Sequence, residues 1–598
     1  MSRGKRRAQG PAPETAPDPT QDPGGDPVAD QGGDPGTEVV DPAAGTEQRS
    51  ILANTAVMAA GTVVSRLSGF VRNALLAAAL GVSLHADIFT VANTLPNMLY
   101  ILLAGGVFNA VLVPQLVRSM QNDPDGGAAY INRVMTLAGL FLAGVTVLLV
   151  VAAPWVMSLL LSSQYDEPAL AEARCSAIDF ARYCLPQVFF YGMFVLIGQV
   201  LNARGRFGPM MWAPIANNVI SVGVLVAYLF VFGAATPAEQ EGPFTPGQEL
   251  LLGLGSTAGI AAQLLILVPY LRSAGVRYRP RFDFRGVGLG HTMRLGIWTV
   301  LFVIVNQIAY VVVVKLASGG TASSDAGTGI TIYSSVMLVV MVPHSIITVS
   351  LATAILPRLS AAAAEDDPGR LGATLGSTLR TALAVVVPFA ALLPAVAMPV
   401  SQVIWGHGAT ADRYDRFETS MILFGVGVVA FTVHYLVLRG FYALELTRLV
   451  FFVQCAIAAT NIVLATVLVR SNDAAQTAPM LVLAYTGAYA VGSVISAAVL
   501  VRRLRRAGAP AADVREWVGF VARLLVAAAV VGGVGLLLEL VVRDTLAELG
   551  TDSWWWSLVE LGIVGTGAGG AFLAAASMLR LREVTSVLGL VQSRLRRR

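Results

Sequence analysis

Apolar runs of 18 or more residues recur along almost the whole of this chain after residue 50, and no other feature restricts its fold as severely. A run of that length is enough for a helix to cross a hydrocarbon layer about 30 Å thick. Inside lipid every backbone N–H and C=O must be paired within the protein, which leaves helices and closed barrels as the only spanning structures. Barrel strands read as alternating segments of roughly ten residues, and that pattern is missing here. The fold class is therefore an all-α polytopic membrane protein. Composition agrees: 55% of the 598 residues are hydrophobic and only 13% charged, against about 25% charged in ordinary soluble proteins. Fourteen spans are expected, at about 53–80, 86–116, 132–160, 174–203, 209–233, 248–271, 289–317, 327–357, 374–405, 417–444, 447–470, 478–501, 517–542 and 555–579. Cys175, Cys184 and Cys455 all lie in or beside apolar runs, which fits small buried hydrophobes and not a disulfide framework.

The loops orient the spans. Those after even-numbered spans are basic, for example Arg204 and Arg206, Arg272 through Arg285, and Arg502 through Arg515. Those after odd-numbered spans are acidic or neutral, with Arg413, Arg416, Arg470 and Arg543 as the exceptions. By the positive-inside rule both termini are expected in the cytoplasm, with Trp554, Trp555 and Trp556 as an anchor at the outer interface. Orientation during insertion is the ordinary explanation of the basic loops; recruitment of an anionic lipid head group or a partner protein is the alternative. Residues 1–49, rich in Pro, Gly and Asp, read as a disordered cytoplasmic tail. The expected organisation continues with a six-helix bundle over 50–273, a second over 274–505, two additional spans over 506–582 and a basic cytoplasmic tail over 583–598.

Within this apolar frame a few polar residues fall at or near membrane depth. Arg66 and Arg72 in the first span and Asp87 in the second each cost roughly 2.5–3.5 kcal/mol on insertion scales, so such groups face a wet cavity or a partner. Asp87, Thr90, Thr94 and Asn97 fall within one arc of roughly 80° on a helix, with Asn93 just beside it. A stripe of this kind reads either as interhelical hydrogen bonding or, with Asp87 included, as the lining of a cavity. Arg66 and Arg72 stand about 120° apart on an ideal helix, and a kink or close crossing at Gly69 could bring them together. Guanidinium groups match a diphosphate in charge and in bidentate geometry; an Arg72–Asp87 ion pair is the competing reading. Arg182, three residues after Asp179, fits a local salt bridge, while Lys315 and Arg439 near span ends fit snorkelling. Pro96, Pro186, Pro343, Pro388 and Pro394 offer bends suited to alternating access, though such residues also occur in rigid bundles. With five histidines and no HExxH, GxSxG or Walker pattern, the chain reads as a non-enzyme, and any transport draws on a gradient, the membrane potential or consumption of the cargo.

The blocks SRLSGFVRN at 65–73, LPN at 95–97, LNARGRFGPMMWAPIANN at 201–218, VNQI at 305–308, ILPRLS at 355–360 and LRGFYALELTR at 438–448 occur in an order and spacing that resembles the MurJ (MviN) lipid II flippase family, within the multidrug/oligosaccharidyl-lipid/polysaccharide exporter superfamily. The resemblance implies two six-helix halves around a central cavity plus two C-terminal helices that form a groove for a lipid tail. It also implies a carrier in the bacterial cytoplasmic membrane that moves a lipid-linked peptidoglycan precursor from the inner to the outer leaflet by alternating access. Its substrate-binding residues would be Arg66, Arg72, Asp87, Asn93 and Asn97. Two arginines and a glutamate usual in the family are replaced by Tyr100, Leu338 and Gly105, which makes Arg182, Arg294 and Lys315 candidates for the missing cavity charge. The implied partners are the lipid-linked precursor, membrane lipids and cell-wall synthesis proteins; no cofactor, metal or nucleic acid is implied. The alternatives are export of another lipid-linked glycan, a membrane scaffold for envelope synthesis, and an enzyme acting on the lipid diphosphate.

Overall fold

The computed structural model describes residues 61, 63–103, 113–122, 125, 127–284, 289–511, 513–548 and 553–585. The tails at 1–49 and 586–598, and Gly105, lie outside these residues. Among the described residues all regular structure is helical, and thirteen segments are long and apolar enough to cross a membrane.

The second expected span is not one of those thirteen. It forms helix α2, Leu84–Ile101, whose polar residues lower its hydropathy and which buries Asp87, His85 and Thr94 among its neighbours. Such a helix requires protein around it, because lipid offers its polar groups no partners. Counting α2 with the thirteen gives the fourteen spans.

In chain order α1 is Val63–Leu80, followed after α2 by α3 (Val113–Asn122), α4 (Ala128–Val151), α5 (Ala153–Leu160), α6 (Ala171–Cys184), α7 (Gln187–Ala203), α8 (Gly208–Val231) and α9 (Pro246–Ser273). Then come α10 (Leu289–Ser323), α11 (Ile330–Val340), α12 (Val349–Ala364), α13 (Pro368–Trp405), α14 (Glu418–Ala443), α15 (Thr447–Arg470), α16 (Thr477–Arg506), α17 (Val514–Glu548) and α18 (Trp554–Met578). The eighth span is not one continuous helix. Pro343 lacks the N–H needed to continue the ladder, and a π turn over His344–Thr348 separates α11 from α12. Pro186 breaks the fourth span in the same way, between α6 and α7.

Helices α6, α7 and α8 pack on α9, and α2 packs on α6. Helices α13, α15 and α10 gather with α14 and α16 into a second set of contacts, and α17 and α18 pack on α13 and on each other. Helix α2 also touches α10 and α11, which joins the two sets. The core beside this junction is aromatic: Trp405 is fully buried and stacks on Phe417 with ring centroids 3.9 Å apart. The perimeter is apolar, with Leu537, Leu540 and Trp555 more than half exposed, as a surface solvated by lipid requires.

Candidate functional site

Helix α1 carries the first two candidate cations. Its seat against α8 is set by Asn218, whose Nδ2 donates to Ser65 O (3.0 Å) and Ser68 Oγ (2.8 Å). This docking turns Arg72 into a partly open cavity of about 90 Å3, where Asn73, Asn93, Gln187, Tyr191, Asn217 and Ser221 supply polar wall and Phe89, Leu225, Leu252 and Ile260 supply apolar wall. Arg72 makes no ion pair with any carboxylate among the described residues. Asn93 faces the same space and accepts from Gln187 Nε2 at 3.1 Å. Tyr100 packs its ring on Tyr191 at 4.7 Å and so backs a residue of the cavity wall without lining the cavity itself. Arg66, one and a half turns before Arg72, is exposed and outside the cavity lining.

Asp87 does not pair with Arg72. It is fully buried and receives three hydrogen bonds from the far side of the junction, from Thr321 Oγ1 (2.9 Å), Ile330 N (3.1 Å) and Thr331 N (2.9 Å). The last two are the first amides of α11, so a carboxylate from α2 caps a helix of the other set, where unpaired N–H groups and the helix dipole both favour an anion. The approach is so close that a Cβ on Gly329 would lie 1.7 Å from Asp87 Oδ2. Thr90 continues the seam, with its Oγ1 3.0 Å from Thr331 Oγ1. Thus the stripe read from the sequence divides. Asp87 and Thr90 face α10 and α11, Asn93 faces the cavity, and Asn97 is exposed.

The other candidates lie apart. Arg182 pairs with Asp179 at 2.8 Å, the two half-exposed. Lys315 donates to Ser158 O at 3.2 Å and lines a separate cleft with Arg470. Arg294 lies on α10, but its side chain is outside the described residues. Leu338 is half-buried on α11. Arg439 lies over the ring of Tyr435, 4.3 Å from its centroid, a cation–π contact that snorkelling does not predict.

Sequence reading assigned no role to Asn73, although it stands in the SGFVRN block. Its Nδ2 donates to Ser335 Oγ (3.1 Å) on α11 and its Oδ1 accepts from Trp405 Nε1 (3.3 Å) on α13. One asparagine therefore ties α1 to two helices of the other set, immediately beside Arg72.

At one end of the bundle the loops after α1, α8 and α13 interlock. Arg413 donates to Ser83 Oγ and to Gln240 Oε1 (3.1 Å) and lies 3.8 Å from Glu241. Gln240 is buried and donates to Ala409 O at 2.9 Å. It fills the space over Gly81, whose φ of +80° and lack of a Cβ let the turn pass beneath it. Arg416 donates to Asp325 O at 3.0 Å. Two exceptions to the charge rule are thus used in closing this end, and a third, Arg543, lies 3.4 Å from Glu539. Among the described residues no three His, Cys, Asp or Glu side chains gather as a metal site would require.

Fourteen spans in two helix sets, a cavity within the first set holding a cation with no ion pair among the described residues, and one end bridged by polar contacts define a polytopic helical membrane protein with the architecture of a transporter. Solved structures agree on the fold. The chain matches one titled "Lipid II flippase MurJ, inward closed conformation" with a TM-score of 0.67 over 88% of this chain and 99% of that one at 16% identity. It also matches an inward-facing multidrug resistance MATE family transporter with a TM-score of 0.57, over 74% of this chain and 96% of that one at 13% identity. A family model described as lipid II flippase MurJ matches residues 76–549, and the chain belongs to that family. A Vibrio cholerae relative named as a probable lipid II flippase MurJ is 26% identical over 557 residues, covering 90% of this chain and 98% of its own length. One from Burkholderia cenocepacia, named lipid II flippase MurJ, is 25% identical over 394 residues, covering 64% and 71% respectively.

Proposed function

We propose that this protein is a lipid II flippase, which carries the diphosphate-linked peptidoglycan precursor from the inner to the outer leaflet of the cytoplasmic membrane. The single observation that supports it best is Arg72: a guanidinium facing a cavity among α1, α2, α7, α8 and α9, beside the contacts of Asn73 to the second helix set, with no carboxylate among the described residues to neutralise it. A half-buried cation without a counter-ion among the described residues is costly, and an anionic cargo would supply the missing charge. In this reading Arg72 and Asn93 contact the diphosphate, Arg66 receives it at the entrance, and Asn73 holds Arg72 in place.

A space of about 90 Å3 is well below the roughly 300–1,000 Å3 of pockets that hold drug-sized ligands, so the cargo requires a helix rearrangement that enlarges the space around Arg72. We take the sets as residues 50–273 and 274–505, with 506–582 as an added pair of spans. The Asp87 and Arg413 contacts close the outer end, the arginine-rich loops face the cytoplasm, and both termini lie there. Cell-wall synthesis enzymes that consume the exported precursor are the partners this role calls for.

The test is replacement of Arg72 by Ala and by Lys in cells depleted of the endogenous flippase. Arg72→Ala should fail to support growth and leave the lipid-linked precursor in the inner leaflet. Arg72→Lys, which keeps the charge and loses the fork, should be partly active. Normal growth and normal precursor distribution with Arg72→Ala would overturn the assignment.

A further inference from the structure

The largest cavity described here is not the one that holds Arg72. It measures about 950 Å3, lies between α4, α7 and α9, and is lined mainly by apolar side chains such as Leu140, Phe189, Met193 and Val268. It shares no lining residue with the Arg72 cavity. Its roof is the extended segment 276–284, which leaves the end of α9 and crosses back over α4. That strap is fixed at several points. Arg279 N donates to Asn132 Oδ1 and Arg281 N to Thr136 Oγ1, both at 3.1 Å, and Arg133 clamps Asp283 at 2.6 Å. The cavity is therefore a built feature of the fold and not a gap under a loose loop.

Two exposed guanidiniums, Arg272 and Arg277, line it as well. Neither forms an ion pair among the described residues. The nearby Asp283 is already engaged by Arg133 and Arg281 and leaves these two charges uncompensated. Phe282, 68% exposed, and Leu140, 54% exposed, put apolar surface beside the opening.

We infer that this cavity is a binding site for one anionic phospholipid, with an acyl chain in the apolar interior and the phosphate held by Arg272 and Arg277. A soluble phosphate would leave the apolar volume unfilled. A zwitterionic head group carries its own cation and would leave the guanidinium charge unbalanced, whereas arginine recognises phosphate in a bidentate manner and each basic side chain strengthens attachment to anionic lipid. The site lies at the end of the bundle where most of the arginine-rich loops gather, so the lipid would belong to that leaflet. This inference is independent of the cargo assignment, and its failure would leave the role of Arg72 untouched.

The test uses the full-length protein in detergent, incubated with radiolabelled phosphatidylglycerol or phosphatidylcholine and then washed. Phosphatidylglycerol should be retained in preference to phosphatidylcholine. The double variant R272Q/R277Q should lose that preference, with retention falling about tenfold or more. Gly139→Leu, whose added side chain has open space toward Met193, should lower retention of phosphatidylglycerol by occupying the cavity. Excess inorganic phosphate should not displace the bound lipid. Equal retention of the two lipids, unchanged retention in both variants, displacement by phosphate alone, or stronger competition by undecaprenyl diphosphate than by unlabelled phosphatidylglycerol would each overturn the proposal.

Discussion

Asp87 is the residue on which the junction turns, because it is a fully buried carboxylate whose three donors all come from the opposite helix set. Replacing it with Ala leaves the amides of Ile330 and Thr331 without an acceptor. Hydrogen bonds to a charged group contribute about 1.5–3 kcal/mol each, so the local cost should reach about 3 kcal/mol or more. The check is hydrogen exchange at Ile330 and Thr331, which should accelerate strongly in Asp87→Ala. Gly329→Ala should do much the same, since its Cβ would displace the carboxylate. The double variant should then be little worse than either single one, as expected for residues that act through one contact; full additivity would contradict the geometry. The presence of Asp87 at membrane depth was legible in the sequence. Its partner was not, because residues more than 230 positions away supply it.

At the scale of elements, two segments have consequences that can be measured. The interlocked loops around Arg413 should open more often in Arg413→Ala, which removes the contacts to Ser83, Gln240 and Glu241. A cysteine at Ala235, only 6% exposed, in a background lacking the exposed Cys175, should then react several-fold faster with a membrane-impermeant thiol reagent; an unaltered rate would show that the latch does not hold this end closed. The strap over 276–284 should respond to acid. Hydrogen bonds from Arg133, aided by Arg281, push the Asp283 carboxyl down to about 2, below the ordinary 3.8. A depressed carboxylate stabilises the folded form fully above its unfolded value and loses that effect as pH falls through its folded value. The strap should therefore keep its protection from proteolysis down to about pH 4 and lose it progressively toward pH 2, while Asp283→Asn should be more readily cleaved even at neutral pH.

For the whole molecule, the proposed direction of transport makes an electrical prediction. A head group with a charge of about −2 leaving an inside-negative cell gains about 4–5 kcal/mol per 100 mV, at roughly 2.3 kcal/mol per charge, and return of a vacant cationic cavity is favoured as well. Translocation in proteoliposomes should thus slow when the potential is collapsed, and an unchanged rate would argue that the moving charge is compensated. In the proposed transport cycle a junction that parts and re-forms would use breaks at fixed places, and Pro186 and Pro343 interrupt the fourth and eighth spans.

Local composition was sufficient to determine the helical membrane class, the number of spans and the alternating charge of the loops, because burying a backbone in lipid permits few solutions and each is written in consecutive residues. It also placed Arg72, Asp87 and Asn93 in the first two spans. Which of them share a cavity was decided only by tertiary packing. Rotation of α2 by a fraction of a turn sends Asp87 to α11 and Asn93 to Arg72, and that rotation is set by contacts with α6, α10 and α11, distant in the chain and invisible to any local pattern. The role of Asn73, the latch at Arg413 and the roofed cavity beside Arg272 belong to the same category: each depends on which surfaces meet, and a span's own periodicity carries no information about its neighbour.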